Sequence, residues 1–221
     1  MTLGSNEVTM YDMAQVYGAF ANGGQKVALN PILGVSNYEG KQIYRNPCAS
    51  AVEPCNAERV ISPITAYQLT SVLSDNTARS RAFGLNSVLH FPGQEVAVKT
   101  GTTNSLRDNW TIGYTQNDVV LSWVVNNDNT SMSSVASGIT GASPIWHEIM
   151  AVTLDNTSHQ FALPVGLQKV QVCAATGTLP CAGCPRIVDA VFPVSQVPKT
   201  ACNPEWFQNT AHGEEKRTAQ L

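Results

Sequence analysis

Three β-forming runs crowded into residues 96–125 constrain this chain more than any other feature. Residues 96–103 alternate Val96 and Val98 with other side chains and end in Lys99-Thr100-Gly101-Thr102-Thr103. Residues 110–115 and 119–125 follow, joined at Gln116-Asn117-Asp118. Runs of this composition separated by short polar segments predict sequential antiparallel neighbours. The run over 119–125 is almost continuously apolar, which predicts burial on both faces. The first strand ends in an ammonium, a glycine and three threonine hydroxyls, so it carries cationic and hydroxylic chemistry as a substrate-facing edge does.

Helices bracket these strands. Val8, Met13, Val16, Tyr17 and Phe20 fall at helical spacing, with Thr9 as N-cap and Asp12 as its capping-box partner, and Asn22-Gly23-Gly24 ends the helix. Residues 31–35 and 42–44 predict a hairpin around Glu39-Gly40-Lys41. Ser62-Pro63 opens a helix expected to reach about Arg79, with Ala66, Leu69 and Leu73 on one face. A loop is expected from there to Gln94. Pro144 starts an amphipathic helix to about Leu154, with Ile145, Ile149 and Val152 expected inward and His147 as a surface or packing residue. The expected class is α+β, an antiparallel sheet covered by helices.

Composition bounds the function. At 221 residues and 43% hydrophobic, the chain has enough apolar material for one sizeable core, or for one and a small satellite. With 13 Lys and Arg against 16 Asp and Glu, and the basic residues scattered, it offers no field for nucleic acid. No apolar run approaches the roughly 20 residues that span a bilayer. Beyond residue 160 the character changes to recurrent proline with Cys173, Cys181, Cys184 and Cys202, a set open to either two disulfides or a tetrahedral zinc site. Cys181 and Cys184 are too close for an unstrained bridge with each other, and Cys48 and Cys55 bracket a loop that a further disulfide can close.

Several segments, in order, resemble the class A penicillin-binding proteins. They are Leu3-Gly4-Ser5 with Glu7-Val8, Tyr17-Gly18-Ala19-Phe20-Ala21-Asn22-Gly23-Gly24, Leu73-Ser74-Asp75-Asn76 and Ala82-Phe83-Gly84-Leu85-Asn86. After Lys99-Thr100-Gly101 come Asp108-Asn109-Trp110-Thr111-Ile112-Gly113-Tyr114-Thr115, Asn126-Asn127-Asp128-Asn129 and Gly141-Ala142-Ser143-Pro144-Ile145-Trp146. Lys-Thr-Gly is one of three motifs in the active-site serine enzymes that bind penicillin, beside Ser-x-x-Lys and Ser-x-Asn. The resemblance spans roughly residues 1–150 and continues weakly through the cysteine-bearing tail, so residues 1–160 are expected to be the C-terminal part of the family's transpeptidase domain and 161–221 a small Cys- and Pro-rich β module. It implies a partial β-lactamase-like transpeptidase fold.

The resemblance also implies a chemistry: serine acyl transfer on D-alanyl-D-alanine stem peptides, cross-linking peptidoglycan, with β-lactams as substrate mimics. Lys99 and Thr102 are then the catalytic candidates, Lys99 as countercharge and proton-transfer aid, Thr102 as backbone oxyanion donor. Thr100, Gly101, Thr102, Thr103 and Trp110 are the substrate-binding candidates, with Asp108 as a further site-wall residue. No metal or other cofactor is expected. The implied location is the extracytoplasmic face of a bacterial membrane, in periplasm or cell wall space, with membrane contact only through an anchor upstream of these residues. That compartment favours disulfides over zinc in the tail. No serine in the chain is followed three residues later by lysine, so the nucleophile motif is absent and a partial site is expected, completed either by the upstream part of its own domain or by another chain. Ser74-Asp75-Asn76 satisfies Ser-x-Asn literally but matches the family's helix-end segment, not its catalytic motif. Alternatives are a non-catalytic ligand- or partner-binding module of the same fold, or a D,D-carboxypeptidase or β-lactamase relative.

Overall fold

The computed structural model describes residues 6–26, 28–47, 57–133, 137–154 and 160–208. Cys48 and Cys55 lie outside them. The chain forms two compact units, residues 1–162 and 163–221.

In the first unit, α1 (Met10–Ala21) begins with a complete capping box: Asp12 N–H donates to Thr9 Oγ1 at 3.1 Å and Thr9 N–H to Asp12 Oδ2 at 3.4 Å. Two turn glycines then lead into β1 (Gln25–Lys26). Gly24 has φ +91° and passes so close to Ile61 that a Cβ would lie 2.3 Å from its carbonyl oxygen, a position only glycine fills. An exposed hairpin, β2 (Gly34–Ser36) with β3 (Gln42–Arg45), turns on Asn37, whose Oδ1 accepts from the backbone of Glu39 and Lys41. β4 (Glu58–Arg59) pairs with β1.

Ser62 caps α2 (Pro63–Ser74), but the helix does not run on to Arg79 as the sequence suggests. Asp75 adopts extended geometry and its carboxylate accepts from Ala78 N–H at 2.9 Å, starting a separate α3 (Asn76–Phe83), whose second half runs into the stretch expected to be loop. A side chain able to cap competes with continuing the helix.

β5 (Ala97–Thr102), β6 (Asp108–Tyr114) and β7 (Val119–Val125) form one antiparallel sheet in that order. Directly paired residues share a face and neighbours along a strand alternate. Tyr114, Ile112 and Trp110 therefore face α1 and α2, whereas Gly113, Thr111 and Asn109 face α4 (Ala142–Thr153). On the α1/α2 side, the buried Tyr114 hydroxyl bonds Thr70 Oγ1 at 2.9 Å, with Tyr17 and Phe161 packed edge-on to its ring. Burial pushes this phenol up to about 12, a shift the Thr70 bond opposes and Tyr17 adds to.

On the α4 side, Trp146 and Met150 join Leu89, Phe91, Val96, Val98 and Val120 in the core. This overturns the expected inward face of α4. Trp146 and Met150 are 0% exposed, while Ile145, Ile149 and Val152 are 48%, 46% and 86% exposed. The helix seats itself by Trp146 over Gly113 and by a hydroxyl bond of 2.8 Å between Ser143 and Thr111. His147 packs flat on Phe91 with centroids 4.3 Å apart, Nδ1 2.7 Å from the Val88 carbonyl oxygen. β7 also departs from expectation, since Trp123 stands 42% exposed.

In the second unit, β8 (Leu167–Cys173) and β9 (Ile187–Pro193) form a hairpin. Disulfides join Cys173 to Cys184 and Cys181 to Cys202, so Cys181 and Cys184 each pair elsewhere. Among the described residues no helix is long and apolar enough to cross a membrane.

Candidate functional site

The open end of the sheet is built from the β5–β6 hairpin. Thr103 N–H donates to Asp108 O at 3.1 Å, which makes 103/108 a bonded pair of the antiparallel ladder. Bonded pairs recur every second residue, so Gly101 and Lys99 also bond inward to β6. The N–H and C=O groups of Val98, Thr100 and Thr102 consequently point to the outer edge of β5, with which no described strand pairs. This edge is a template for an extended peptide.

Side chains follow the same alternation. Lys99 and Gly101 share the α1/α2 face with Trp110, while Thr100 and Thr102 lie on the α4 face. Lys99 is exposed, its ammonium donating to the Thr100 carbonyl oxygen, and among the described residues it has no carboxylate partner. The Thr102 hydroxyl accepts from Gly138 N–H at 2.9 Å. Gly138 in turn anchors the core, its carbonyl oxygen accepting from Ser143 Oγ at 2.6 Å and lying 3.2 Å from Thr111 Oγ1. A Cβ there would meet Thr100 Cβ at 3.0 Å and the Gly101 oxygen at 3.1 Å, so glycine lets this loop press against the back of the Lys-Thr-Gly strand.

The expected site residues thus divide. Lys99, Thr100, Gly101, Thr102 and Trp110 surround one edge, but Thr103 serves the hairpin turn: its Oγ1 accepts from Arg107 N–H at 3.1 Å and Asp108 N–H at 2.9 Å, with Leu106 at φ 53° completing the bend. Ser74 ends α2 beside Glu95, to whose Oε1 its hydroxyl donates at 3.4 Å. No lysine accompanies it there at Ser-x-x-Lys spacing. Among the described residues no group of three or more His, Cys, Asp or Glu side chains is placed to hold a metal ion.

Two contributors escaped the sequence reading. Asn109 is fully buried and its Oδ1 accepts from Ala142 N–H at 3.0 Å, tying the start of α4 to the hairpin. Trp123 lies opposite Trp110, the indoles stacked at 5.2 Å and 17°, and donates from Nε1 to Asp108 Oδ1 at 3.1 Å. The second was legible, because a turn at residues 116–118 sets the register that places Trp110 opposite Trp123.

The model of the penicillin binding protein transpeptidase domain matches residues 1–151. Penicillin-binding protein 1A of Pseudomonas aeruginosa is 27% identical over 242 residues, covering 90% of this chain and 29% of that protein. The crystal structure of penicillin-binding protein 1A from Haemophilus influenzae superposes with a TM-score of 0.69 at 24% identity, covering 87% of this chain and 33% of that one. Penicillin-binding protein A of M. tuberculosis, as its imipenem acyl-enzyme, gives a TM-score of 0.52 at 22% identity over 69% of this chain and 33% of that one. At these identities the structures establish the fold, and the chain spans about a third or less of each protein's length. Since the family model runs through both helical layers as well as the strand between them, the shared feature is the framework and not a three-residue motif, and the chain belongs to the penicillin-binding protein transpeptidase domain family.

Proposed function

We propose that this chain supplies the carboxylate-binding wall of a serine D,D-transpeptidase site that takes D-alanyl-D-alanine stem peptides and β-lactams in peptidoglycan cross-linking, outside the cytoplasmic membrane. The observation that carries this reading is the edge of β5, with which no described strand pairs and where the Thr100 and Thr102 backbones meet the Lys99 ammonium, which has no carboxylate partner among the described residues. Bound as an added strand, a peptide finds its C-terminal carboxylate near Lys99 and the Thr100 and Thr102 hydroxyls. Its scissile carbonyl then meets the outward Thr102 N–H, a kind of donor commonly worth about 3 kcal/mol of barrier. Gly101 leaves room for the passing backbone.

In that reaction a serine oxygen bonds to the carbonyl carbon, the terminal D-alanine leaves as the amine carrying the proton, and a second amine later displaces the serine. The serine has to come from outside these residues, because Ser-x-x-Lys does not occur in them. That same observation favours a second reading, a non-catalytic binding module. The chain alone, incubated with a fluorescent penicillin, is expected to show no covalent band on a denaturing gel. With the preceding part of a relative's transpeptidase domain supplied as a second polypeptide, the band appears under the transpeptidase reading and stays absent under the other. In the reconstituted protein, Lys99→Ala removes a charge-assisted contact of about 1.5–3 kcal/mol, roughly a ten- to hundredfold loss in acylation rate. Lys99→Arg recovers part of it, as the guanidinium keeps charge but changes donor geometry. Acylation of Lys99→Ala at the unmodified rate refutes the assigned role.

A further inference from the structure

Thr102 and Asn109 stand directly opposite one another on β5 and β6. Because 103/108 is a bonded pair of the ladder, 102/109 is a non-bonded one, in which the two side chains lie closest, here on the α4 face. Both reach the same short turn. Thr102 Oγ1 accepts from Gly138 N–H at 2.9 Å, and Asn109 Oδ1 accepts from Ala142 N–H at 3.0 Å. Between those points the turn closes on itself. Thr140 N–H and Gly141 N–H donate to the Ser137 carbonyl oxygen at 3.0 and 2.7 Å, and Ser143 N–H donates to that of Gly138 at 3.0 Å. One cross-strand pair therefore grips both ends of residues 138–142. Asn109 is 0% exposed, and its Nδ2 is buried without a hydrogen-bond partner among the described residues. An apolar side chain would fill that place with no donor left unmade, so what the amide adds is its acceptor oxygen.

We propose that Asn109 is a positioning residue for the Thr102 hydroxyl: by holding Ala142 it sets the Gly138 N–H against Thr102 Oγ1 and so fixes the side-chain torsion from which that hydroxyl serves the carboxylate end of a bound ligand. Thr102 is exposed at the strand end, where its Oγ1 has two or three staggered wells to choose among. The bond from Gly138 selects one of them. A hydroxyl oxygen that accepts an N–H also turns its own proton to another side, so the bond orients the donor as well as the oxygen. Asn109 acts from behind the strand and touches no ligand itself. The size of its effect follows from the number of wells. With the turn released, the hydroxyl occupies the productive well about a half to a third of the time, a loss of about twofold to threefold in any step that uses it. The inference rests on the role proposed for the Thr102 hydroxyl, and its test separates the two.

The test uses the chain reconstituted with the preceding part of a relative's transpeptidase domain. It reads second-order acylation rates for benzylpenicillin and for its methyl ester, which lacks the carboxylate charge. The parent is expected to prefer the free acid. Thr102→Val, which keeps the backbone N–H, is expected to cut that preference about tenfold, and Asn109→Ala about twofold to threefold. In the Thr102→Val background Asn109→Ala is expected to change the preference no further, since the hydroxyl it positions is gone. Gly141→Ala strikes the same latch from the other side. A Cβ there would lie 2.8 Å from Asn109 Oδ1, while φ −97° and ψ −75° suit alanine, so this variant is expected to reproduce the loss. An unchanged preference in Asn109→Ala, whatever happens to the two rates, overturns the positioning role and leaves the carboxylate wall standing. So does a loss that persists undiminished in the Thr102→Val background. A parent that reacts equally with acid and ester, or with neither, overturns both readings. Melting temperatures identify a variant that fails to fold, and where that is Asn109→Ala, Gly141→Ala alone and with Thr102→Val decides on the same outcomes.

Discussion

Gly113→Ala tests how the sheet under the site is held. Gly113 lies at the centre of β6, and a Cβ built there would sit 2.3 Å from Trp146 Cζ2, 2.8 Å from Cε2 and 2.9 Å from the Ala97 carbonyl oxygen. Ordinary contact begins at 3.4 Å, so the indole has to retreat by roughly 1 Å. It has little room to do so, being fully buried with Phe91, Val98, Val120 and Met150 around it and Phe91 edge-on at 5.8 Å. Overpacking a rigid core position costs about 1–3 kcal/mol, and a clash of this depth with a ring and a backbone oxygen belongs at the upper end. For a unit of this size that is a fall in Tm of about 6–12 °C. The assay is thermal denaturation followed by near-ultraviolet circular dichroism. Trp146→Phe, which withdraws the outer ring, is destabilising alone through the cavity it leaves. Combined with Gly113→Ala it should cost less than the two single changes added, with a coupling of about 1 kcal/mol or more. A Gly113→Ala protein melting within about 1 °C of the parent, or a strictly additive double variant, refutes the view that Trp146 is seated in the space left by Gly113.

Two further outcomes follow from the buried hydroxyl and from the crosslinked tail. The Tyr114 phenol is ordinarily near 10.0 and sits at about 12 in the fold, so the unfolded chain releases its proton first. Stability is full below pH 10, falls by about 1.4 kcal/mol per unit between 10 and 12 and then levels, a slope that Tyr114→Phe should remove from alkaline denaturation curves. Among the described residues of the second unit the buried apolar set is Leu167 and Val172 with Cys173 and Cys202, too little to fold a hairpin without staples. The Cys181–Cys202 loop of 21 residues is worth about 3 kcal/mol, so Cys181→Ser with Cys202→Ser should open residues 163–208 to limited proteolysis while 1–162 resist cleavage. Equal protease resistance of both units in that variant contradicts the role given to the crosslink.

Local chemistry made much of this protein readable from its residues alone. Thr9 with Asp12 and Ser62 with Pro63 start helices because capping depends on a few neighbouring atoms, and three β-forming runs pair in order because short connections leave antiparallel neighbours as the simplest arrangement. Lys99, Thr100, Gly101 and Thr102 gathered at one edge for the same reason, being consecutive on one strand. Thr103, one residue farther, went to the turn instead, since whether its hydroxyl faces a cleft or Asp108 N–H depends on where the hairpin closes. The break at Asp75 was likewise a choice between two local possibilities, capping or continuation, of which capping prevailed. The orientation of α4 was beyond local reasoning altogether. Its apolar residues Ile145, Trp146, Ile149, Met150 and Val152 spread over roughly half of the helix circumference, so helical spacing accommodates an inward face centred on either Ile145 and Ile149 or Trp146 and Met150. The choice was made by a strand more than thirty residues earlier, where the bare backbone of Gly113 admits an indole and Thr111 offers Ser143 a partner that no isoleucine can use.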